Sequence, residues 1–236
     1  MEIIEELVDE RQKSWCIHCG RGILARETNR DHAPSKCLLR KPHPENLPEV
    51  LVHRKCNSGF SLDEEYLATF LSCVISGSEK PDAQINPKAA GTLKRSPKLQ
   101  KRIGSSKIEY KTYGGDERKI WKPELKRVNR VLLKNARGHA FHEYGEPLLD
   151  QPASIWAVPL ALLEAEQRAR FEEIPDSGAW PEVGSRMMTR VLTGEDMIDG
   201  WVIVQEGIYR YAVTQAGGML VRSVLHEYLA TEVYWE

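Results

Sequence analysis

The sequence predicts an α+β protein in which a small module rich in cysteine and histidine precedes a larger mixed domain. Residues 15–56 combine Cys, His, Pro and Asn with short apolar patches, which favours short strands and loops over a long helix. Residues 61–75 repeat apolar side chains at helical spacing, so a helix is predicted there. Residues 201–204, 208–213 and 219–226 are apolar runs separated by turn residues, as in antiparallel strands. These observations together predict the α+β class.

Composition divides the chain into three parts. Residues 1–78 contain the module and begin with a predicted amphipathic helix over residues 2–14. Residues 79–106 are polar and are predicted to form a linker, because Pro, Gly and Ser interrupt regular structure there. Residues 96–102 are expected to form a short helix within it. Residues 107–236 are predicted to be a second domain of mixed α+β structure.

Three elements are predicted where the second domain begins. Residues 107–113 and 117–121 alternate as the two strands of a hairpin around a Gly-Gly turn. A helix is then predicted from Pro123 onward, and either Gly138 or Gly145 ends it.

Length and composition exclude several classes of protein. The chain has 236 residues, of which 41% are hydrophobic and 28% are charged, as expected for a folded protein with a buried core. It contains no run of about 18 apolar residues, which excludes a membrane-spanning helix. The first residues are acidic and lack the basic and apolar segments of a signal peptide. The protein is therefore expected in the cytoplasm, where its five cysteines stay reduced.

The charge of the chain is distributed unevenly. Its net charge is −1, but residues 94–137 hold 15 Lys or Arg and 4 Asp or Glu, giving +11, whereas residues 138–236 carry −10. Such a field attracts a polyanion such as nucleic acid, unless the acidic residues neutralise it within the fold. The sequence leaves both interpretations open. The candidate phosphate contacts recur at i, i+4, i+8 and i+11 along one helical face: Lys126, Arg130, Lys134 and Arg137.

Two pairs of metal-ligating residues have the spacing of a zinc site. Cys16 and Cys19 form a CxxC pair, and His53 and Cys56 form an HxxC pair that begins after 33 intervening residues. Three thiolates and one imidazole give Zn²⁺ the four tetrahedral ligands of a structural site. Cys37 is an alternative fourth ligand, less favoured because it has no partner at this spacing. A redox dithiol at Cys16 and Cys19 is a third interpretation, which the second pair disfavours.

Other histidines are interpreted as structural. His139 and His142 lie three residues apart beside Glu143, a spacing that suits a second metal site on a helix. The neighbouring Gly138 and aromatic residues instead favour a helix end packed against the second domain. His18, inside the CxxC pair, is expected to be a surface loop residue.

Four motifs, two of which contain the metal-ligand pairs, follow one another along the chain. They are CIHCG from Cys16, RDHAP from Arg30, ENLPEV from Glu45 and HRKCNSG from His53. In this order and spacing the sequence resembles the HNH nuclease family, whose fold is a ββα-metal module. The resemblance covers residues 15–75, about a quarter of the chain.

The resemblance implies hydrolysis of phosphodiester bonds in nucleic acid, with DNA favoured as the substrate. It assigns His32 as the general base that activates water, and Asp31 and Asn57 as ligands of a catalytic Mg²⁺ or Mn²⁺. Asn46 resembles the asparagine that holds the loop of the catalytic histidine in place. Zn²⁺ is then a structural ion that clamps the module.

The resemblance also implies an association with restriction or phage defence. The second domain is expected to choose the target or to bind an activating protein partner. A rival function from another class is a non-catalytic zinc module that recruits nucleic acid or a protein. The Asp31–His32 pair favours the nuclease, because a module that only binds does not need this pair between its metal ligands.

Overall fold

The computed structural model of the protein describes residues 14–177 and 180–236. The helix predicted for residues 2–14 lies, apart from Ser14, outside the described residues. The chain divides into two compact units. The first unit combines the described residues up to Phe60 with Leu132–Glu236, and the second comprises Ser61–Val131. Within the described ranges, no helix has both the length and the apolar character that crossing a membrane requires.

A two-stranded hairpin followed by a short helix forms the start of the first unit. Strands β1 (Thr28–His32) and β2 (Glu49–His53) are antiparallel, and α1 (Arg54–Ser58) follows β2 directly. Thr28 pairs with His53 at one end of the hairpin, and His32 pairs with Glu49 at the other. Since side chains alternate along a strand, Asp31 and His32 are directed to opposite faces.

A six-stranded antiparallel sheet also belongs to the first unit. Its strands are β5 (Ser154–Pro159), β6 (Met197–Ile198), β7 (Trp201–Gln205), β8 (Tyr209–Gln215), β9 (Met219–Leu225) and β10 (Leu229–Trp235), and the helices α6 (Ala165–Glu172) and α7 (Arg186–Thr193) lie between β5 and β6 in the chain. The strand order is β5-β10-β9-β8-β7-β6, so the last five strands form a meander and β5 pairs with the final strand. The strands predicted around residues 201–226 are confirmed.

The second unit contains helices α2 to α4, a hairpin and the beginning of helix α5. Helix α2 (Ser61–Ser76) confirms the prediction from helical spacing, and strands β3 (Lys107–Lys111) and β4 (Glu117–Trp121) confirm the predicted hairpin. Residues 79–106, predicted as a linker, contain α3 (Pro87–Arg95) and α4 (Pro97–Gly104).

Local capping explains why these two helices form in a segment rich in Pro and Ser. Pro87 and Pro97 occupy the first helical positions, where the missing N–H of proline has no consequence. Asn86 and Ser96 cap the two helices by accepting hydrogen bonds from backbone N–H groups. Leu93 is fully buried and anchors α3. The boundaries of the two compact units, at residues 60/61 and 131/132, therefore differ from the predicted domain limits at residues 78 and 107.

Helix α5 (Leu125–Tyr144) ends at the later of its two predicted ends, Gly145 rather than Gly138. It continues through Gly138 and stops at Gly145, whose φ of 78° is the left-handed conformation that commonly ends helices. Gly138 is retained inside the helix because a Cβ there would lie 2.5 Å from the Cβ of Ala33. Helix and loop therefore meet at a distance that only glycine permits.

His139 and Glu143, two of the residues considered for a second metal site, belong to a buried network of hydrogen bonds and ring contacts. His139 is fully buried, stacks on Tyr211 at 3.8 Å between ring centroids, and lies 3.0 Å from the Tyr209 hydroxyl. Glu143 accepts hydrogen bonds from Tyr211 and Arg190. This part of α5 is therefore packed against the sheet, as the favoured interpretation expected.

Substitution of Gly138 tests the close approach of α5 to Ala33. We expect Gly138→Ala to lower the free energy of unfolding by about 1–3 kcal/mol, because the added methyl group overpacks the contact. The measurement is chemical denaturation followed by circular dichroism. Gly91, in the interior of α3 with no atom within 4 Å of an added Cβ, is the matched control. Gly91→Ala should stabilise by about 0.5–1 kcal/mol, and equal effects at the two sites would contradict the prediction.

Candidate metal centre and hairpin site

The first metal-ligand pair lies in a tight turn held by its own backbone. The N–H groups of Cys19 and Gly20 donate to the carbonyl of Cys16 at 3.2 and 2.8 Å. The Cys16 N–H donates to the carbonyl of Arg21 at 2.9 Å, which closes the turn. These bonds place both thiols on one side of the turn, facing the end of β2.

The orientation of His53 follows from its two ring contacts. Its Nε2 lies 3.1 Å from the carbonyl oxygen of Gly22, which only accepts hydrogen bonds. Nε2 therefore carries the proton, and Nδ1 presents its lone pair 3.3 Å from the Cys19 sulfur. A hydrogen bond that fixes the tautomer of a histidine in this way is typical of metal ligands.

Cys16, Cys19, His53 and Cys56 form a cluster, here called the metal cluster, that is close enough to hold one ion. All four donor atoms lie within 4.8 Å of one another. Ligands about 2.3 Å from a tetrahedral Zn²⁺ are separated by about 3.8 Å, so the cluster has a suitable size. Among the described residues it is the one such group of three or more Cys, His, Asp or Glu. Cys37, the alternative fourth ligand, does not belong to it.

The thiols of the metal cluster differ in acidity. Burial, together with the neighbouring Cys19 and Cys16, raises the pKa of Cys56 to about 12. At Cys19 burial acts in the same direction, but the hydrogen bond from the Arg21 backbone and the contacts with His53, Cys56 and Cys16 outweigh it and lower the pKa to about 7. Because the thiolate is the ligand form, a metal ion must displace a proton from Cys56 when it binds.

His32, the predicted general base, ends β1 on the more exposed face of the hairpin. Its Nε2 lies 2.8 Å from a carboxylate oxygen of Glu49, and 20% of its side chain is exposed. Burial and the charge of Lys36 lower the pKa of His32, although Glu49 and Asp31 act in the opposite direction. The imidazole is therefore neutral at pH 7, which a general base requires.

Asp31, the predicted metal ligand, is buried and engaged through both carboxylate oxygens. Its Oδ2 accepts from His18 Nε2 at 3.0 Å, and its Oδ1 lies 2.7 Å from Lys134 Nζ. Burial raises the pKa of Asp31, but the combined effect of His18 and Lys134 is larger and opposite, so the pKa lies below its ordinary value. The expectation that His18 is a surface residue is wrong, because its side chain is only 3% exposed.

Lys134 is not on the surface, contrary to its predicted contact with phosphate. Its side chain is 2% exposed, and it donates to Ser35 Oγ at 2.9 Å as well as pairing with Asp31. Ser35 in turn donates to Asn135 through its backbone N–H and its hydroxyl. The regular spacing of basic residues on α5 thus includes a position that faces the interior of the first unit.

Arg137 is also buried, which removes a second member of the predicted basic face. Its guanidinium donates to the carbonyl oxygens of Leu149 and Asp150, both at 2.9 Å. Arg130 and Lys126 are exposed, and Arg130 forms an ion pair with Asp63. Of the four predicted phosphate contacts, these two have the exposure that such a contact requires.

The two predicted asparagines occupy different positions. Asn57 lies in α1, and its amide donates at 3.2 Å to Asn29, two residues before Asp31 on the same face of β1. Asn46 is half-buried in the turn that precedes β2. The roles assigned to both, as metal ligand and as loop anchor, stay predictions.

A cleft of about 260 Å³ within the first unit is lined in part by Glu49, the partner of His32. Arg30 and Arg186 contribute to its lining. Arg30 donates to Glu49 at 2.8 Å, and Arg186 donates to the carbonyl of His142, near the end of α5, at 2.7 Å. The cleft is thus lined by two arginines, of which Arg30 contacts the carboxylate that holds the candidate base.

Sequence reasoning missed three residues of this site. Glu49 follows from the hairpin register, because a correct alignment of β1 with β2 places it opposite His32. His18 and Lys134 were predicted to have other roles, as a surface residue and as a phosphate contact. Nothing in their local spacing indicated a contact with Asp31, and Lys134 lies 103 residues from it.

The metal content of the purified protein tests the metal cluster. We expect about one Zn²⁺ per chain, and we expect Cys16→Ser and Cys56→Ser to lose it and to unfold at lower temperature. Elemental analysis and thermal melting measure both effects. Cys37→Ser is the matched control, because Cys37 lies outside the metal cluster. A Cys56→Ser variant with full zinc content and unchanged melting would contradict the assignment.

The geometry of the metal cluster and of the hairpin beside it is the basis for any functional assignment. Comparisons with protein-family models, with curated proteins and with solved structures found no match to this chain. What the protein does is therefore inferred from the contacts of its own residues.

Proposed function

We propose that the protein is a zinc-stabilised nuclease that hydrolyses phosphodiester bonds, with DNA as the favoured substrate. The observation that carries the proposal is the position of His32. It ends the first strand of a hairpin whose second strand leads directly into His53, Cys56 and α1. A strand–strand–helix order with a metal cluster at one end and a histidine–carboxylate pair at the other supports the resemblance to HNH nucleases.

His32 and Glu49 form the proposed catalytic pair. Because the carboxylate of Glu49 only accepts, Nε2 of His32 carries a proton and Nδ1 carries the lone pair. In the proposed reaction Nδ1 takes a proton from water, whose oxygen forms the new bond to phosphorus as one P–O ester bond breaks. The leaving oxygen takes a proton from solvent, and the imidazolium returns its proton to solvent. Glu49 holds the ring in this orientation and stabilises the imidazolium that forms.

The cleft beside this pair supplies positive charge for the phosphate. Arg30 and Arg186 both contribute to its lining, and guanidinium groups form paired hydrogen bonds to phosphate oxygens. Arg30 lies two residues before His32 in β1 and therefore on the same face. We place the scissile phosphate at this end of the cleft.

The catalytic Mg²⁺ or Mn²⁺ that the resemblance implies does not fit Asp31 as this residue is placed. Both carboxylate oxygens contact positively charged or proton-donating groups, on Lys134 and His18. A divalent ion at the same oxygens would adjoin an ammonium group in a buried position, where repulsion is strong. The proposed reaction therefore contains no step through a divalent ion.

The same contacts favour a second candidate, a zinc module that binds nucleic acid or a protein without cleaving. Under this hypothesis Asp31 and His32 are ion-pair partners that stabilise the hairpin, and neither acts on a substrate. The two candidates differ in one measurable property, which is cleavage that depends on His32.

Removing the proposed base tests the nuclease. We expect His32→Ala to keep its zinc and fold but to cleave plasmid DNA about 10²–10⁴-fold more slowly. For the unchanged protein, kcat/KM should fall as the pH is lowered through the pKa of His32, which lies below the ordinary value near 6.5. Cleavage is measured by gel assay with Mg²⁺, with Mn²⁺ and without either ion. Equal rates for His32→Ala and the unchanged protein would leave the binding module as the function.

Glu49→Gln separates a catalytic pair from a structural one. Glu49 raises the pKa of His32 through its charge and its hydrogen bond, so its neutralisation should shift the acidic limb of the rate profile to lower pH. Glu27→Gln is the matched control, since Glu27, just before β1, also pairs with an arginine, Arg54 at the start of α1. An unshifted profile in Glu49→Gln would argue against a pair that acts on the reaction.

The exposed basic residues are proposed to bind the nucleic-acid backbone. With the His32→Ala variant, we expect Lys126→Ala to reduce the slope of log affinity against log salt by about 0.9, because one phosphate contact is lost. The measurement is fluorescence anisotropy with labelled DNA at several salt concentrations. Arg168→Ala, an exposed arginine in the acidic part of the chain, is the matched control and should leave the slope unchanged. Identical slopes for both variants would exclude Lys126 as a phosphate contact.

A further inference from the structure

We propose that the ammonium group of Lys134 occupies the cation position at Asp31 that the resemblance to HNH nucleases assigns to a divalent metal. The carboxylate of Asp31 is then bound by a cation that the chain itself supplies. The inference does not depend on the proposed cleavage, because it concerns which cation the carboxylate binds. It replaces two predicted roles at once: Lys134 as a phosphate contact and Asp31 as a ligand of Mg²⁺ or Mn²⁺.

The contacts of Lys134 resemble the coordination of an ion by oxygen ligands. Its Nζ lies 2.7 Å from Asp31 Oδ1 and 2.9 Å from Ser35 Oγ. The other carboxylate oxygen, Oδ2, is 3.0 Å from His18 Nε2. The side chains of Lys134 and Asp31 are 2% and 9% exposed, so solvent does not compete for either charge.

The position of Lys134 is fixed by the helix that carries it. Gly138, one turn later on the same face of α5, packs against Ala33 without room for a side chain. Asn135, the next residue, accepts two hydrogen bonds from Ser35. The backbone that carries Lys134 is therefore held in place by packing, and its ammonium group stays beside Asp31.

Charge balance makes the two cations mutually exclusive at this carboxylate. Asp31 carries one negative charge, which the ammonium of Lys134 neutralises at 2.7 Å. Mg²⁺ and Mn²⁺ bind carboxylate oxygens at about 2.1 Å, which would bring two positive groups together around a single buried anion. With Lys134 in place, the carboxylate is unavailable to a divalent ion. Removal of the ammonium should therefore create a site for one.

Binding of Mn²⁺ to the zinc-loaded full chain tests this inference. We expect Lys134→Met, which keeps the length of the side chain without its charge, to bind one additional Mn²⁺ at least about 10-fold more tightly than the unchanged protein. The double variant Lys134→Met with Asp31→Asn should lose that ion again. Electron paramagnetic resonance of free Mn²⁺ counts the bound ions, and Zn²⁺ stays on its thiolates because Mn²⁺ binds such ligands more weakly.

A measurement on the unchanged protein keeps the inference falsifiable if Lys134→Met does not fold. In an NMR titration, Mn²⁺ should leave the backbone amide signals of Asp31, Ser35 and His18 unbroadened. Broadening of these signals that Asp31→Asn abolishes would overturn the inference. A folded Lys134→Met variant that gains no Asp31-dependent Mn²⁺ would overturn it as well. Neither result requires cleavage, so failure of the nuclease proposal is separately visible in the plasmid assay.

Discussion

The carboxylate of Asp31 joins the three parts of the first unit that surround the candidate site. It belongs to β1 of the hairpin, it accepts from His18 in the turn between the cysteines, and it pairs with Lys134 on α5. Breaking a buried ion pair by removing one partner typically costs about 3–5 kcal/mol, because the remaining charge is left uncompensated. This ion pair therefore stabilises the approach of α5 to the hairpin, together with the packing of Gly138 on Ala33 and the hydrogen bonds from Ser35 to Asn135.

Strand geometry separates two residues that are adjacent in sequence. Asp31 and His32 are directed to opposite faces of β1, so Asp31 is buried in an ion pair while His32 pairs with Glu49, a residue that lines a cleft. The motif that suggested a single catalytic centre thus supplies two distinct environments. The inner one stabilises the hairpin, and the outer one combines a neutral imidazole with the charged side chains of Glu49 and Arg30.

Local patterns predicted the elements that local interactions determine. The helical repeat of α2, the hairpin of β3 and β4, and the spacing of the four cluster residues all depend on neighbours within a few residues or on fixed ligand spacing. The failures involve distant contacts or capping. A row of lysines and arginines on a helix looks the same whether a position faces water or a buried aspartate, as at Lys134. The segment 79–106 was predicted to be a linker because proline is common in loops. Pro87 and Pro97 instead mark the first positions of two helices.

The separation of Asp31 and Lys134 in sequence has a consequence for how the chain folds during synthesis. Lys134 follows Asp31 by 103 residues. At translation rates of about 5–20 residues per second, the aspartate precedes its partner by about 5–20 s. During that interval the cysteine turn and the hairpin have their local contacts, but the carboxylate has no ammonium group to pair with and remains hydrated. The inner face of the hairpin closes only after α5 has emerged, so the hairpin completes its packing well after it has been made.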